Sequence, residues 1–137
     1  MNSRLNEQLV LRTGLDLVEL PRFAELLKRS EGRLAQRLFD AGELRLCADR
    51  SESLAAFFAA KEAFAKALGT GFWGEDGLGF HDLCIRKEEK GAPLLELSEK
   101  ALELAARHGQ LLSTSLSISH TASLAAAEVT LLFIRSE

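Results

Sequence analysis

Apolar and polar positions divide the chain into short, well-marked segments. The run QLVLRTGLDLVEL mixes leucine with β-branched residues and predicts a strand around 8–18. Pro21 then suits the first turn of a helix, which RFAELLKR continues at helical spacing. Ser30–Gly32 breaks that helix, and RLAQRLF reads as a second, shorter one. Asp40 is placed to cap a third, with Glu43 three residues on completing a capping box. Leu54–Leu68 is a long helix closed by Gly69. WGEDGLG reads as a loop, and HDLCIRK and PLLEL as strands joined by the polar turn EEKGA. Ser98 caps a helix running to His108, which Gly109 ends. The strands LLSTSLSIS and SLAAAEVTLLFI close the sequence, with His120 and Thr121 between them. These elements predict an α+β fold with a mostly antiparallel sheet. At 137 residues, one domain over 1–137 is expected.

The long helix raises a chemical question. At 100° per residue, Phe57, Ala60, Phe64 and Leu68 share one face, and most of the remainder is alanine. Burial on several sides follows, yet the helix carries Lys61, Glu62 and Lys66. An isolated buried charge is very costly. Glu62 and Lys66 stand at i and i+4, so a plain intrahelical ion pair is one reading. Lys61 lies nearer the apolar face, and snorkelling would bring its ammonium to water. Asp16 adds a second carboxylate, within a strand pattern where aspartate is depleted. Its neighbours Leu15 and Leu17 point to the opposite face. Asp16 is a strand-end residue on the plain reading. If its strand packs beside the helix, Asp16 and Glu62 meet, and two carboxylates repel unless they share a cation. Few oxygen ligands, with room for water and phosphate, suit Mg²⁺. Gly69 and Gly71 would let backbone approach such a phosphate, although a helix C-cap also explains Gly69.

Charge and composition narrow the function classes. The net charge of −3 argues against a general nucleic-acid binder. Cys47 and Cys84 match no metal or redox spacing and read as reduced thiols of a cytoplasmic protein. No long apolar run occurs near the N-terminus, so neither a secretion signal nor a membrane span is expected. Positions 21–37 are locally basic: Arg22, Lys28, Arg29, Arg33 and Arg37 against Glu25 and Glu31 give five minus two, or +3. On an unbroken helix Arg22, Arg29 and Arg33 fall within roughly 40°, an alignment that Gly32 spoils if it ends the helix. This is either a solvated face or a patch that steers an acidic partner. Ser119 and His120 do not make a hydrolase pair, because adjacent strand residues point apart and no G-x-S-x-G elbow is present. His81 and His108 read as surface or structural residues.

Four segments in order carry a resemblance: GLDLVELPRF, FAAKEAFAKALGTG, GLGFHDLCIRKEEKGAP and SLSISHTASLAAAEV, together spanning about Gly14 to Val129. They resemble holo-acyl-carrier-protein synthase, a 4′-phosphopantetheinyl transferase of the short trimeric type. The resemblance implies transfer of the phosphopantetheine arm of coenzyme A to a serine of apo acyl carrier protein, leaving adenosine 3′,5′-bisphosphate. It implies Mg²⁺ as cofactor, with Asp16 and Glu62 as metal ligands and Asp16, Glu62 and Lys66 as the catalytic residues. Glu62, or a metal-bound water held by Asp16, is then the base for the carrier serine. Lys66 is implied at the phosphates. Gly69, Gly71, Gly91, Pro93, His120 and Thr121 are implied at the coenzyme. The carrier protein is implied to dock on Arg22, Arg29 and Arg33. Short members form homotrimers with active sites between subunits, and no nucleic acid or membrane takes part. One departure stands out: Phe57 occupies a position where the family commonly has arginine, a candidate phosphate contact. It keeps open an alternative, a non-catalytic coenzyme A and carrier-protein binding module of the same fold. A different Mg²⁺-dependent phosphoryl-transfer enzyme is a third reading.

Overall fold

Gly14 sets how the longest strand meets the longest helix. In the computed structural model, which describes residues 6–136, β1 (Glu7–Glu19) crosses α4 (Ser51–Leu68) so closely that a Cβ on Gly14 would lie 1.8 Å from the Ala63 carbonyl oxygen. Only glycine permits that approach. Residues 1–5 and 137, the ends of the expected 1–137 domain, lie outside the described residues. β1 pairs antiparallel with β5 (Leu124–Ser136), which pairs antiparallel with β4 (Gln110–His120), giving the order β1-β5-β4. β2 (Leu83–Lys87) and β3 (Pro93–Leu97) form a separate antiparallel hairpin. The fold is α+β with antiparallel sheets, as expected.

Helix α1 (Leu20–Arg29) starts with Pro21 in its first turn, followed by α2 (Arg33–Leu38) and α3 (Ala41–Cys47). Four helices therefore separate β1 from β2, the four segments read as helical from the sequence. The breaks are backbone-driven: Glu31 and Gly32 have φ of 54° and 87°, and Ala48 and Asp49 have φ of 48° and 60°. The first break ends α1 at Arg29, so Arg22, Arg29 and Arg33 do not share one continuous helix face. The capping box forms as expected, with Asp40 Oδ1 accepting from Glu43 N–H at 2.8 Å and Glu43 Oε1 from Asp40 N–H at 3.0 Å. The strand expected from His81 begins only at Leu83. Phe80–Asp82 is a 3₁₀ turn, in which Asp82 Oδ2 accepts the Gly79 N–H at 2.7 Å. Ser98 Oγ caps α5 (Glu99–Ala106) through the Ala101 N–H, and that helix stops two residues short of His108.

The core lies between α4 and the inner face of the three-stranded sheet. Ala125, Ala127, Val129, Leu131 and Phe133 of β5 are buried there. On α4, Phe57, Ala60, Phe64 and Leu68 are buried together with most alanines, which matches the all-round apolar reading. The opposite sheet face is open: Leu9, Leu11, Leu15 and Leu17 of β1 are 60–68% exposed. No described helix is long and apolar enough to cross a membrane.

Candidate functional site

Asp16 projects from β1 toward α4 because its strand neighbours Leu15 and Leu17 take the outer face. There it joins Glu62 in a cleft of about 400 Å³ between β1, α1 and α4, whose walls also include Arg22, Phe23 and Phe58. Lys66 Nζ donates to Asp16 Oδ1 and to the Leu15 carbonyl oxygen, each at 3.0 Å. Its ion pair is thus with the strand carboxylate, not the intrahelical pair with Glu62 expected from i, i+4 spacing. Lysine has three N–H donors, so one remains after these two bonds. The side chain is 56% exposed, so the pair adds little stability and leaves Lys66 able to change partners.

Glu62 is half-buried, and its carboxyl is held above the usual carboxylate range. Burial is the main cause, repulsion by Asp16 adds to it, and Lys66 opposes it. A carboxylate disfavoured by a neighbouring carboxylate is what a shared cation relieves. The donor set is all oxygen and supplied by two side chains facing open space, which fits Mg²⁺ with its remaining positions taken by water or phosphate. A second acidic group, Asp40, Glu43 and Cys84, also lies close enough to hold an ion. Its charges are already met by protein: Arg86 forks onto Asp40 at 3.0 and 2.7 Å, and Lys61 pairs with Glu43. Asp40 is held far below the ordinary carboxylate range, with the hydrogen bond from Arg86 as the largest cause.

Lys61 does not snorkel. Its ammonium is fully buried and donates to Glu43 Oε1 at 2.9 Å, Phe80 O at 2.7 Å and Leu83 O at 2.9 Å. The helical wheel placed Lys61 on the apolar side correctly. What it missed was a buried partner on another helix, since Glu43 is already accounted for in the sequence by its capping role. Cys47 and Cys84 are free and buried, and burial pushes both thiols up to about 12.

The remaining site residues fall into separate groups. Gly69 adopts φ 76° as the C-cap of α4, and the Thr70 N–H reaches the Ala65 carbonyl at 3.0 Å. Gly71 has open space where a Cβ would sit. Gly91, with φ 88°, turns the β2–β3 hairpin, and Pro93 pairs with Lys87 just beyond it. His120 ends β4 and borders a cavity floored by Phe57. Thr121 follows in the turn, where its Oγ1 accepts the Ser123 and Leu124 N–H groups at 3.3 and 3.1 Å, leaving its own O–H to donate. Arg29 pairs with Glu25 at 3.1 Å on the exposed side of α1, and Arg33 Nε caps the preceding turn at Ser30 O. Of the three arginines, Arg22 is the one that lines the Asp16–Glu62 cleft. His81 and His108 have structural partners, the carbonyls of Gln36 and Leu68 at 3.0 and 2.8 Å.

Comparison with known proteins agrees with the fold. The family model for the 4′-phosphopantetheinyl transferase superfamily matches residues 12–127. Holo-[acyl-carrier-protein] synthase of Trichlorobacter lovleyi is 40% identical over 126 residues, 90% of this chain and 98% of that protein. The Helicobacter pylori J99 protein of the same name is 41% identical over 116 residues, covering 85% of this chain and 92% of its own length. A crystal structure of Helicobacter pylori holo-[acyl-carrier-protein] synthase in complex with coenzyme A superposes with a TM-score of 0.78 at 38% identity, over 87% of this chain and 98% of that one.

Proposed function

Because the chain belongs to the 4′-phosphopantetheinyl transferase superfamily, we propose that it transfers 4′-phosphopantetheine from coenzyme A to a serine of an apo acyl carrier protein. The observation that carries this reading is the cleft in which Asp16 and Glu62 stand together, with Arg22 on its wall and Lys66 bonded to Asp16. In the reaction the serine oxygen forms a bond to the pantetheine-bearing phosphorus. The bond to the bridging pyrophosphate oxygen breaks, and its electron pair leaves with adenosine 3′,5′-bisphosphate. Glu62, whose environment raises its affinity for a proton, accepts the serine proton. Lys66 offers its remaining N–H to the leaving phosphate. Asp16 and Glu62 would hold a divalent cation, Mg²⁺ by their oxygen chemistry, which neutralises charge building on the phosphates.

Arg22 at the cleft supports docking of the acidic carrier there, with Arg29 and Arg33 farther along the same basic stretch. Gly69, Gly71, Gly91, Pro93, His120 and Thr121 are assigned to the coenzyme on the family resemblance. The chain is read as one domain over 1–137, a cytoplasmic homotrimer with its sites shared between subunits. The open face of Leu9, Leu11, Leu15 and Leu17 supports an assembly, because contiguous exposed apolar surface marks interfaces. Phe57 favours the alternative of a binding module without catalysis, and one experiment separates the two. Incubation with coenzyme A, Mg²⁺ and several apo carrier proteins should add one phosphopantetheine to a carrier serine, read by mass. The gain should vanish with chelator, with Asp16→Ala and with Glu62→Ala. Unchanged carrier mass throughout would refute the transferase reading, and full activity in either variant would place the metal elsewhere.

A further inference from the structure

The loop between α4 and the Phe80–Asp82 turn carries the chain's one tryptophan, and the proposed mechanism leaves it unused. Trp73 is 59% exposed, and its φ of 59° lies in the left-handed region, an outlier for a bulky aromatic. Its surroundings hold it there. The Trp73 N–H donates to the Leu78 carbonyl at 2.9 Å, and the ring meets Phe80 edge-on with centroids 6.0 Å apart. Gly79 leaves room for the indole, since a Cβ there would lie 3.3 Å from the ring. Asp76 is bonded to Thr70 Oγ1 at 2.6 Å and to Arg107 at 2.5 Å, which ties the loop to the end of α5. Arg37, in the last turn of α2, places its guanidinium 5.7 Å from the indole centroid. Ring and cation border a concave surface shared with Gln36 and His81. An exposed tryptophan beside an arginine is the composition of an interface anchor.

We infer that Trp73 and Arg37 form a second anchor for the acidic carrier protein, separate from the α1 arginines. The inference rests on the transferase reading. Charge favours this occupant: positions 21–37 are locally +3, Arg37 ends that stretch, and the protein as a whole is −3. Of the loop's two carboxylates, Asp76 is paired with Arg107, which leaves Glu75 as the opposing charge. Position favours it too. Helix α2 packs against both α1 and the Phe80–Asp82 turn. Aromatic rings run from the cleft to the loop, with centroid steps of 5.2 Å from Phe23 to Phe58, 6.0 Å from Phe58 to Phe80 and 6.0 Å from Phe80 to Trp73. A standard interface of about 800 Å² per partner is roughly 30 Å across, longer than that path. A carrier whose serine enters the cleft therefore covers Trp73 within one footprint. The indole supplies apolar contact that salt does not screen, and Arg37 supplies charge that salt does.

Because Trp73 is the sole tryptophan, its fluorescence reads docking directly. Titration with an apo carrier protein that lacks tryptophan should shift the emission to shorter wavelength and reduce quenching by acrylamide, half-maximally near the carrier KM. Trp73→Ala should raise the carrier KM about 5- to 30-fold, the loss expected of an anchor side chain, and change the coenzyme A KM less than about twofold. Trp73→Phe should recover part of that loss, and Arg37→Ala should raise the carrier KM by a factor that shrinks as salt rises. Emission and quenching unchanged at carrier concentrations that saturate transfer overturn the inference. So does protection by coenzyme A alone, which puts the nucleotide on the ring, and so does protection in the free protein that is lost on dilution, which puts a second copy there. A Trp73→Ala variant in which both KM values rise alike overturns it as well, the pattern of lost structure. Transfer observed in those experiments leaves the transferase reading standing. Protection of Trp73 by a carrier that is never modified would keep the anchor and refute the enzyme.

Discussion

Replacing Lys61 with methionine should be among the most destabilising single changes in this chain. The substitution keeps the apolar stem and removes an ammonium whose side chain is 0% exposed. Three acceptors lose their donor: Glu43 Oε1, Phe80 O and Leu83 O. Removing one partner of a buried ion pair costs about 3–5 kcal/mol, because the other charge stays buried. Two orphaned carbonyls push toward the upper end. The N–H groups of Asp40 and Ile85, which still reach Glu43 at 3.0 and 3.1 Å, push toward the lower. A loss of about 4 kcal/mol is a large part of a typical total of about 5–15 kcal/mol. At this chain length it should lower Tm by roughly 10–20 °C. Urea unfolding measures it directly, and a double variant that also replaces Glu43 with leucine should lose less than the two single changes summed. At temperatures where Lys61→Met remains folded, phosphopantetheine transfer should persist, since all three partners of Lys61 belong to the core. A cost under about 1 kcal/mol, the value of an exposed pair, would refute the structural role.

Glu62→Gln should abolish transfer yet raise Tm at pH 7.5 without divalent metal. Because the folded pKa of Glu62 lies above its ordinary 4.5, ionising it in the fold costs stability that falls away as pH rises from that value through the folded one; scans at pH 4 and 7.5 check that the gain appears only at the higher pH. Arg22→Glu should raise the carrier-protein KM several-fold and leave coenzyme A affinity near wild type, with wild-type rates at limiting carrier falling as salt rises; a change confined to the coenzyme A KM would place Arg22 at the nucleotide. Light scattering should report about three times the 15.0 kDa chain mass, and Leu15→Arg should lower it; a wild-type monomer at micromolar concentration counts against shared sites.

Most of the fold was legible because its signals are local. The capping box at Asp40, the Gly69 stop and the period of α4 each act within a few residues. The differences arose where a long-range contact or a backbone break decided the outcome. Nothing near Lys61 in sequence announces Glu43, 18 positions away, as its counter-charge. Lys66 turned from its helical neighbour Glu62 to Asp16, 50 positions away, once β1 lay against the helix. The meeting of Asp16 and Glu62 was readable as a condition, strand beside helix, and Gly14 is the residue that satisfies it.

The same packing links the proposed docking residue Arg22 to the proposed proton acceptor Glu62. Arg22 and Phe23 are consecutive on α1, and the Phe23 ring stacks on Phe58 of α4 with centroids 5.2 Å apart. Phe58 and Glu62 are one helical turn apart at i and i+4, on the same side of α4. The stack therefore fixes Arg22 relative to Glu62 without relying on the exposed Arg29–Glu25 pair of α1. Exposed pairs such as Arg29–Glu25 hold little free energy and are screened by salt, whereas an uncharged aromatic stack is not. Salt should thus change how fast a carrier protein arrives and leave unchanged where its serine is presented.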